Sequence, residues 1–336
     1  MKKLTVLFFL CIIPFIANAT ISEMSFGKWN IKFDDETKRA EFVKEGVTVL
    51  KDVKIKFKNG DVLLDASSYN SVKIKQEDIV DEVGKARKFT IEYTGSEDSD
   101  NPIVYQNFYL YDGQDYFLTD VILQSPDNSI ISSNYIAPIS TEADNLFLPA
   151  DVNNRFITVP FDNDGFITYT SYPLSCSQTD PESLAIGRVA RDSVSMEVSA
   201  IFNGETQLGL VIGSVDHDTW KSAVRITGSP LAQGKITNLE CFSGVTHHIT
   251  RDMIDGVLKP HGAVKGQQVK SARMIVHYSG DWRTGLETFG DVCCAIAPKR
   301  SWDKPAPYGW SSWGGMGTEI SYDGVVSVSD FIKENI

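Results

Sequence analysis

From Thr20 to about Gly280 apolar and polar residues alternate with a period of two. This spacing turns one face of a strand toward a core and the other toward water. Val53, Ile55 and Phe57 alternate with lysines, and Asn59-Gly60 marks a tight turn into Val62 to Leu64. Phe89, Ile91 and Tyr93 repeat the pattern. Phe108 to Tyr111, then Asp112-Gly113, then Tyr116 to Leu123 predict a second hairpin. Val194, Met196, Val198 and Ala200 lead through Asn203-Gly204 into the apolar run Leu208 to Ile212, a third. Short strands punctuated by turn residues, with hardly a helical stripe among them, predict a mainly β protein built on a large antiparallel β-sandwich. The acidic stretch GSEDSDN at 95–101 predicts a solvated loop.

The period changes near residue 283. Leu286, Phe289 and Cys293 recur at spacings of three and four, which predicts an amphipathic helix over Arg283 to Ala295. The segment PKRSWDKPAP at 298–307 is rich in proline and charge and predicts a linker. Beyond the glycine-rich stretch YGWSSWGGMG at 308–317, Val325, Val328, Ile332 and Ile336 fall on one stripe of a helix starting near Ser321 or Asp323. The expected organisation is therefore a leader over 1–19, a sandwich over 20–282, a helix and linker over 283–307, and a strand–helix unit over 308–336.

The leader changes where the chain is expected to work. Lys2 and Lys3 precede the apolar run Leu4 to Ile16, and Ala17-Asn18-Ala19 supplies the small-x-small pattern that a signal peptidase cuts after. Thirteen apolar residues are too few to cross a hydrocarbon core of roughly 30 Å as a helix. An uncleaved anchor is the alternative. Cys11 sits inside the apolar run, with Leu10 before it, rather than at the run's end, so lipidation of that cysteine is not expected. Cleavage after Ala19 predicts an exported protein, periplasmic or secreted. It removes two lysines and no acid, so the formal net charge moves from −12 to −14. A charge this negative argues against a nucleic-acid or anionic-membrane partner, which would call for a clustered basic face.

Cys176, Cys241, Cys293 and Cys294 remain, and export permits disulfides in any of three pairings. A domain of this size buries a sufficient core without them. Cys293 and Cys294 are neighbours in a helical stretch, where a mutual bond would be strained. Small, partly buried side chains are the plain reading of all four. No zinc spacing is present: Asp216-His217-Asp218 and His247-His248 lack a third ligand at finger-like or helical distance. There is no Gly-x-Ser-x-Gly elbow and no phosphate-cradling loop.

Pro307-Tyr308-Gly309-Trp310-Ser311-Ser312-Trp313-Gly314 is the most informative stretch. It resembles the Gly-Trp-x-Ser-Trp signature on the first barrel strand of α-galactosidase-type glycoside hydrolases, families 27 and 36. In the family 36 type a large N-terminal β-sandwich precedes a (β/α)8 barrel, which is the order of parts here. VPFDNDGFITY at 159–169, GLVIGSVDHDTWK at 209–221 and Asp281-Trp282-Arg283 also look like the sandwich of secreted bacterial members.

The resemblance implies a carbohydrate partner, an α-galactoside or related glycan, and a retaining mechanism without a cofactor. Trp313 is the residue implied to touch the sugar, its flat apolar ring against the C–H face of the pyranose. Trp310, three residues earlier, is expected to pack. Asp162, Asn163 and Asp164 carry two readings. One is a turn held by local side-chain bonds and Gly165; the other is a sandwich loop that binds sugar hydroxyls. Their Asp-x-Asp spacing hints at calcium, but the remaining ligands of a twelve-residue loop are missing.

Retaining glycosidases need two carboxyl groups roughly 5 Å apart. In the resembled families both are aspartates on later barrel strands, so no catalytic residue is assigned within 1–336. Asp323 and Asp330 lie in or beside the last helix, on what would be the outside of a barrel, and are poor substitutes. The expected chain is the sandwich and the first strand and helix of an incomplete barrel, itself inactive. A non-catalytic carbohydrate-binding or surface sandwich is the alternative, and a third is a separate polypeptide that supplies the other strands.

Overall fold

The alternating segments form strands and pair as two large antiparallel sheets. The computed structural model describes residues 21–142, 148, 151–159, 171–174, 192–228, 236–250, 253–306 and 309–335. The expected leader over 1–19, Cys176 and the candidates Asp162, Asn163 and Asp164 lie outside the described residues. Two units are distinguished, Met1–Pro298 and Lys299–Ile336.

In the first unit one sheet runs, in spatial order, Ile21–Phe26, Trp29–Asp34, Arg39–Lys44, Val47–Asn59, Ile136–Glu142, Ile236–Ser243, Ser222–Gly228 and Asp192–Met196. Val62–Asp65 adds to it beside Val47–Asn59. The second sheet runs Ser171–Pro173, Asn154–Ile157, Val198–Asn203, Gly209–Ser214, Met274–Ser279, Tyr116–Gln124, Ile103–Tyr111, Lys85–Ser96 and Tyr69–Val80. Gln268–Lys270 is added beside Tyr116–Gln124.

Three hairpins close where turn residues stand between alternating runs. Asn59 pairs with Val62 across Gly60, whose φ of 60° is the left-handed conformation that glycine adopts without strain. Gly113, at φ 72°, does the same between Ile103–Tyr111 and Tyr116–Gln124. The third hairpin departs from the dipeptide reading. Its loop is longer than Asn203-Gly204, and Gln207 takes the left-handed position at φ 65°. Asn203 Oδ1 organises that loop by accepting from the Glu205 and Thr206 amides, both at 3.0 Å.

The inward faces interdigitate. Trp29, Phe33 and Phe42 of the first sheet meet Phe117, Tyr93 and Phe108 of the second. Edge-on contacts lie at 4.8 Å for Trp29–Phe117, 5.0 Å for Phe42–Phe117 and 6.0 Å for Phe33–Tyr93. Such geometry sets the positive ring edge on a negative face and adds about 1 kcal/mol per pair to simple burial.

The centre of the second sheet is buried on both faces, because the helix Trp282–Ile296 covers its outer side. This explains why Gly209–Ser214 is buried throughout and reads as an apolar run instead of an alternation. Leu286, Phe289 and Val292 point from the helix toward Val211, Leu118 and Ile275. At its start Asp281 accepts from the Arg283 amide at 3.0 Å, and the Trp282 ring stacks on Phe202 at 4.2 Å.

In the second unit the expected barrel strand is not formed. Residues 309–311 have no regular structure and Ser312–Met316 is a short helix, ended by Gly317 at φ 55°. A strand needs a neighbour for its backbone groups, and no described strand lies within Lys299–Ile336; a helical turn satisfies its own amides. The final helix, Tyr322–Asn335, forms as expected, with Val325, Val328 and Ile332 half-buried along one stripe.

Candidate functional site

The aromatic segment is assembled from local interactions. Ser311 is extended and starts the turn that carries Trp313, while Ser321 Oγ accepts from the Gly324 amide at 3.2 Å at the start of the last helix. Trp313 is 71% exposed, so its ring is presented to solvent and free to take a flat apolar partner. Trp310 does not pack as expected. It is 41% exposed, and its ring lies against Gly315, where an added Cβ would come within 3.4 Å. Trp302 is 64% exposed and donates from Nε1 to the Pro305 carbonyl at 3.0 Å. Asp323 and Asp330 are both exposed.

Three polar networks are built around the second sheet, one on its strands and two on the turns and loops at its strand ends. In the first, Asp120 is fully buried on the face it shares with Leu118. It accepts from Asn107 Nδ2 at 2.7 Å and from the Tyr109 hydroxyl at 3.0 Å, with Lys270 Nζ at 3.4 Å. Its signal in the sequence is one charge inside the apolar run YFLTDVIL. In the second, Arg273 binds Asp216 at 3.0 Å and also reaches Glu82. Burial pushes Glu82 upward, but the Arg273 hydrogen bond prevails and holds it below the usual carboxylate range. In the third, Lys44 and Lys28 bind Asp115 at 2.6 Å and 2.8 Å. Burial again acts upward on Asp115, and the two lysines together bring it down.

These shifts run opposite to what a general acid needs. A catalytic carboxyl that donates a proton near neutral pH is raised by burial or by a like charge, whereas Glu82 and Asp115 are held ionised by cations. They tie strands and loops together. Among the described residues no group of three or more His, Cys, Asp or Glu side chains is placed to hold a metal ion. No helix among them is long and apolar enough to cross a membrane. Cys241 is a buried thiol, Cys293 is half-buried with its pKa pushed by burial up to about 11, and Cys294 is exposed. Neither the turn nor the sugar-binding reading of Asp162, Asn163 and Asp164 is addressed by the described residues.

No family model matches the sequence. No curated protein matches it either. Solved structures do. The α-N-acetylgalactosaminidase NagBb from Bifidobacterium bifidum, in complex with Gal-NHAc-DNJ, superposes at a TM-score of 0.51 and 9% identity, over 82% of this chain and 39% of that one. A glycoside hydrolase family 97 enzyme from a Pseudoalteromonas strain, bound to acarbose, gives 0.47 at 10% identity, over 78% and 36%. The family 36 α-galactosidase AgaA from Geobacillus stearothermophilus, bound to stachyose, gives 0.47 at 9% identity, over 92% and 48%. The chain thus spans less than half the length of each. At such identities, and with only the first score above 0.5, the comparison establishes the fold alone: the chain is built on the kind of β-sandwich found in that α-N-acetylgalactosaminidase.

Proposed function

We propose that this chain is the N-terminal part of an exported α-galactosidase-like glycoside hydrolase. In this reading the sandwich is a scaffold, and Trp313 is a sugar-contacting residue at the mouth of a catalytic barrel. The complete enzyme hydrolyses terminal α-galactosides by double displacement, with two aspartates from other barrel strands as nucleophile and acid/base. The observation that carries the reading is the Gly309–Trp313 signature, standing after a glycosidase-like sandwich with the Trp313 ring open to solvent. Residues 1–19 support export, and Thr20 as the first residue of the mature chain is its direct test.

Purified chain offered a chromogenic α-galactoside is expected to release no product above background. Release that persisted after Asp323→Asn and Asp330→Asn would overturn the assignment of catalysis to other strands. A non-catalytic carbohydrate-binding sandwich is the second reading; it leaves the Gly309–Trp313 stretch without a role.

A further inference from the structure

His277 sits in the strand Met274–Ser279, opposite Val211 on one side and Tyr116 on the other. Its neighbour Val276 faces the main core, while Ile275 packs with Val292 of the helix, so the His277 ring shares the helix-covered face. The helix approaches there through Gly285. A Cβ added at that glycine would lie 2.8 Å from His277 Nδ1 and 2.7 Å from Val211 Cγ2. His277 is 2% exposed, and Nδ1 is sealed from solvent without a hydrogen-bond partner.

A neutral imidazole tolerates this, because an unprotonated Nδ1 is only an unused acceptor. A proton there would put a cation in a dry interior with no acceptor offered by another described residue, which is costly. We propose that His277 and Gly285 form an acid-sensitive latch, in which proton uptake by the ring frees the helix Trp282–Ile296 from the outer face of the second sheet.

The surrounding charges agree with that direction. Burial is the main influence and pushes the ring's pKa down to about 4; Asp115 and a hydrogen bond to the residue's own backbone act upward, and Lys44 and Lys28 act downward. Tyr116 on the adjoining strand is itself held up by burial, with Asp81 and Asp291 of the helix adding to the effect. At the helix start Asp281 is paired with Arg283 at 2.7 Å, and the helix's own acids, Glu287 and Asp291, are exposed rather than turned into the covered face. The folded value lies below the ordinary 6.5, so the docked helix keeps its full stability above about pH 6.5 and loses it as the pH falls toward 4.

Amide hydrogen exchange on the full chain between pH 7 and pH 4, corrected for the intrinsic pH dependence of exchange, tests the latch. Helix amides over 282–296 are expected to open about a hundredfold more readily at the acid end, while core strands such as Tyr116–Gln124 stay protected. In His277→Leu the helix response should disappear. An unchanged helix across the range, or an equal acid response in His277→Leu, overturns the proposal. If that variant does not fold, the unaltered protein decides the matter by NMR of the His277 ring. Titration near pH 4 together with helix opening supports the latch; titration near 6.5 with the helix still protected refutes it.

Discussion

Gly285 and Gly290 stand five residues apart on one helix in opposite surroundings. An added Cβ at Gly285 meets Val211 and His277 inside 3 Å, whereas at Gly290 it meets nothing within 4 Å. Gly285→Ala should therefore cost about 1–3 kcal/mol by overpacking, in spite of alanine's better helix propensity. Gly290→Ala should stabilise by about 0.5–1 kcal/mol. Urea midpoints of the two variants must move in opposite directions; a shift of the same sign in both would refute the packing described. Asp120 is the other residue on which much depends. Asp120→Ala leaves the Asn107 and Tyr109 donors without their acceptor and Lys270 with only its longer contact to Asp216, at a cost of about 3 kcal/mol. A loss below about 1 kcal/mol would mean that water replaces the carboxylate, and the site is not buried as described.

At the scale of elements, the helix Trp282–Ile296 links local chemistry to tertiary order. Asp281→Ala removes the acceptor for the Arg283 amide and should cost about 1 kcal/mol, most of it recovered by Asp281→Asn. Thermal melts of the pair check this; equal loss in both would assign the effect to the Arg283 ion pair.

The elements legible beforehand are those with local causes. The hairpin at Asn59-Gly60, the one at Asp112-Gly113, and the stripes of both long helices follow from neighbours in sequence. Two matters were not legible. The insertion of Ile136–Glu142 between Val47–Asn59 and Ile236–Ser243 depends on which apolar faces complete one core, and no local spacing encodes that. The Gly309–Trp313 stretch was expected as a strand on the strength of a resemblance. Without a described neighbour to pair with in its unit, it is irregular over 309–311 and enters a short helix at Ser312. Of the candidate site, Trp313 was legible as a residue type in a motif. His277 and Asp120 were not, since a single polar residue in an apolar strand acquires meaning only from what covers it.

At the scale of the whole molecule, acid should act in two stages. His277 is depressed below 6.5, so the helix contribution fades between about pH 6.5 and 4. Asp115 and Glu82 are held below their ordinary values of 3.8 and 4.5. Their contribution is full above those values and is lost only as the pH falls through the lower folded ones. Unfolding followed by far-ultraviolet circular dichroism should thus keep its β signal through the first stage and lose it in the second. Loss of strand signal already near pH 6 would contradict this order.

The proposed function joins a β-sandwich of the kind found in a glycosidase to an exposed indole, Trp313, in a single chain. Intrinsic fluorescence during titration with a soluble α-galactoside tests it most directly, read alongside Trp313→Ala and Trp310→Ala. A saturable change on the order of millimolar affinity is expected. It should be abolished by Trp313→Ala and retained in Trp310→Ala. A saturable response that survives Trp313→Ala, or none with any α-galactoside tested, would contradict the assignment of that ring to sugar.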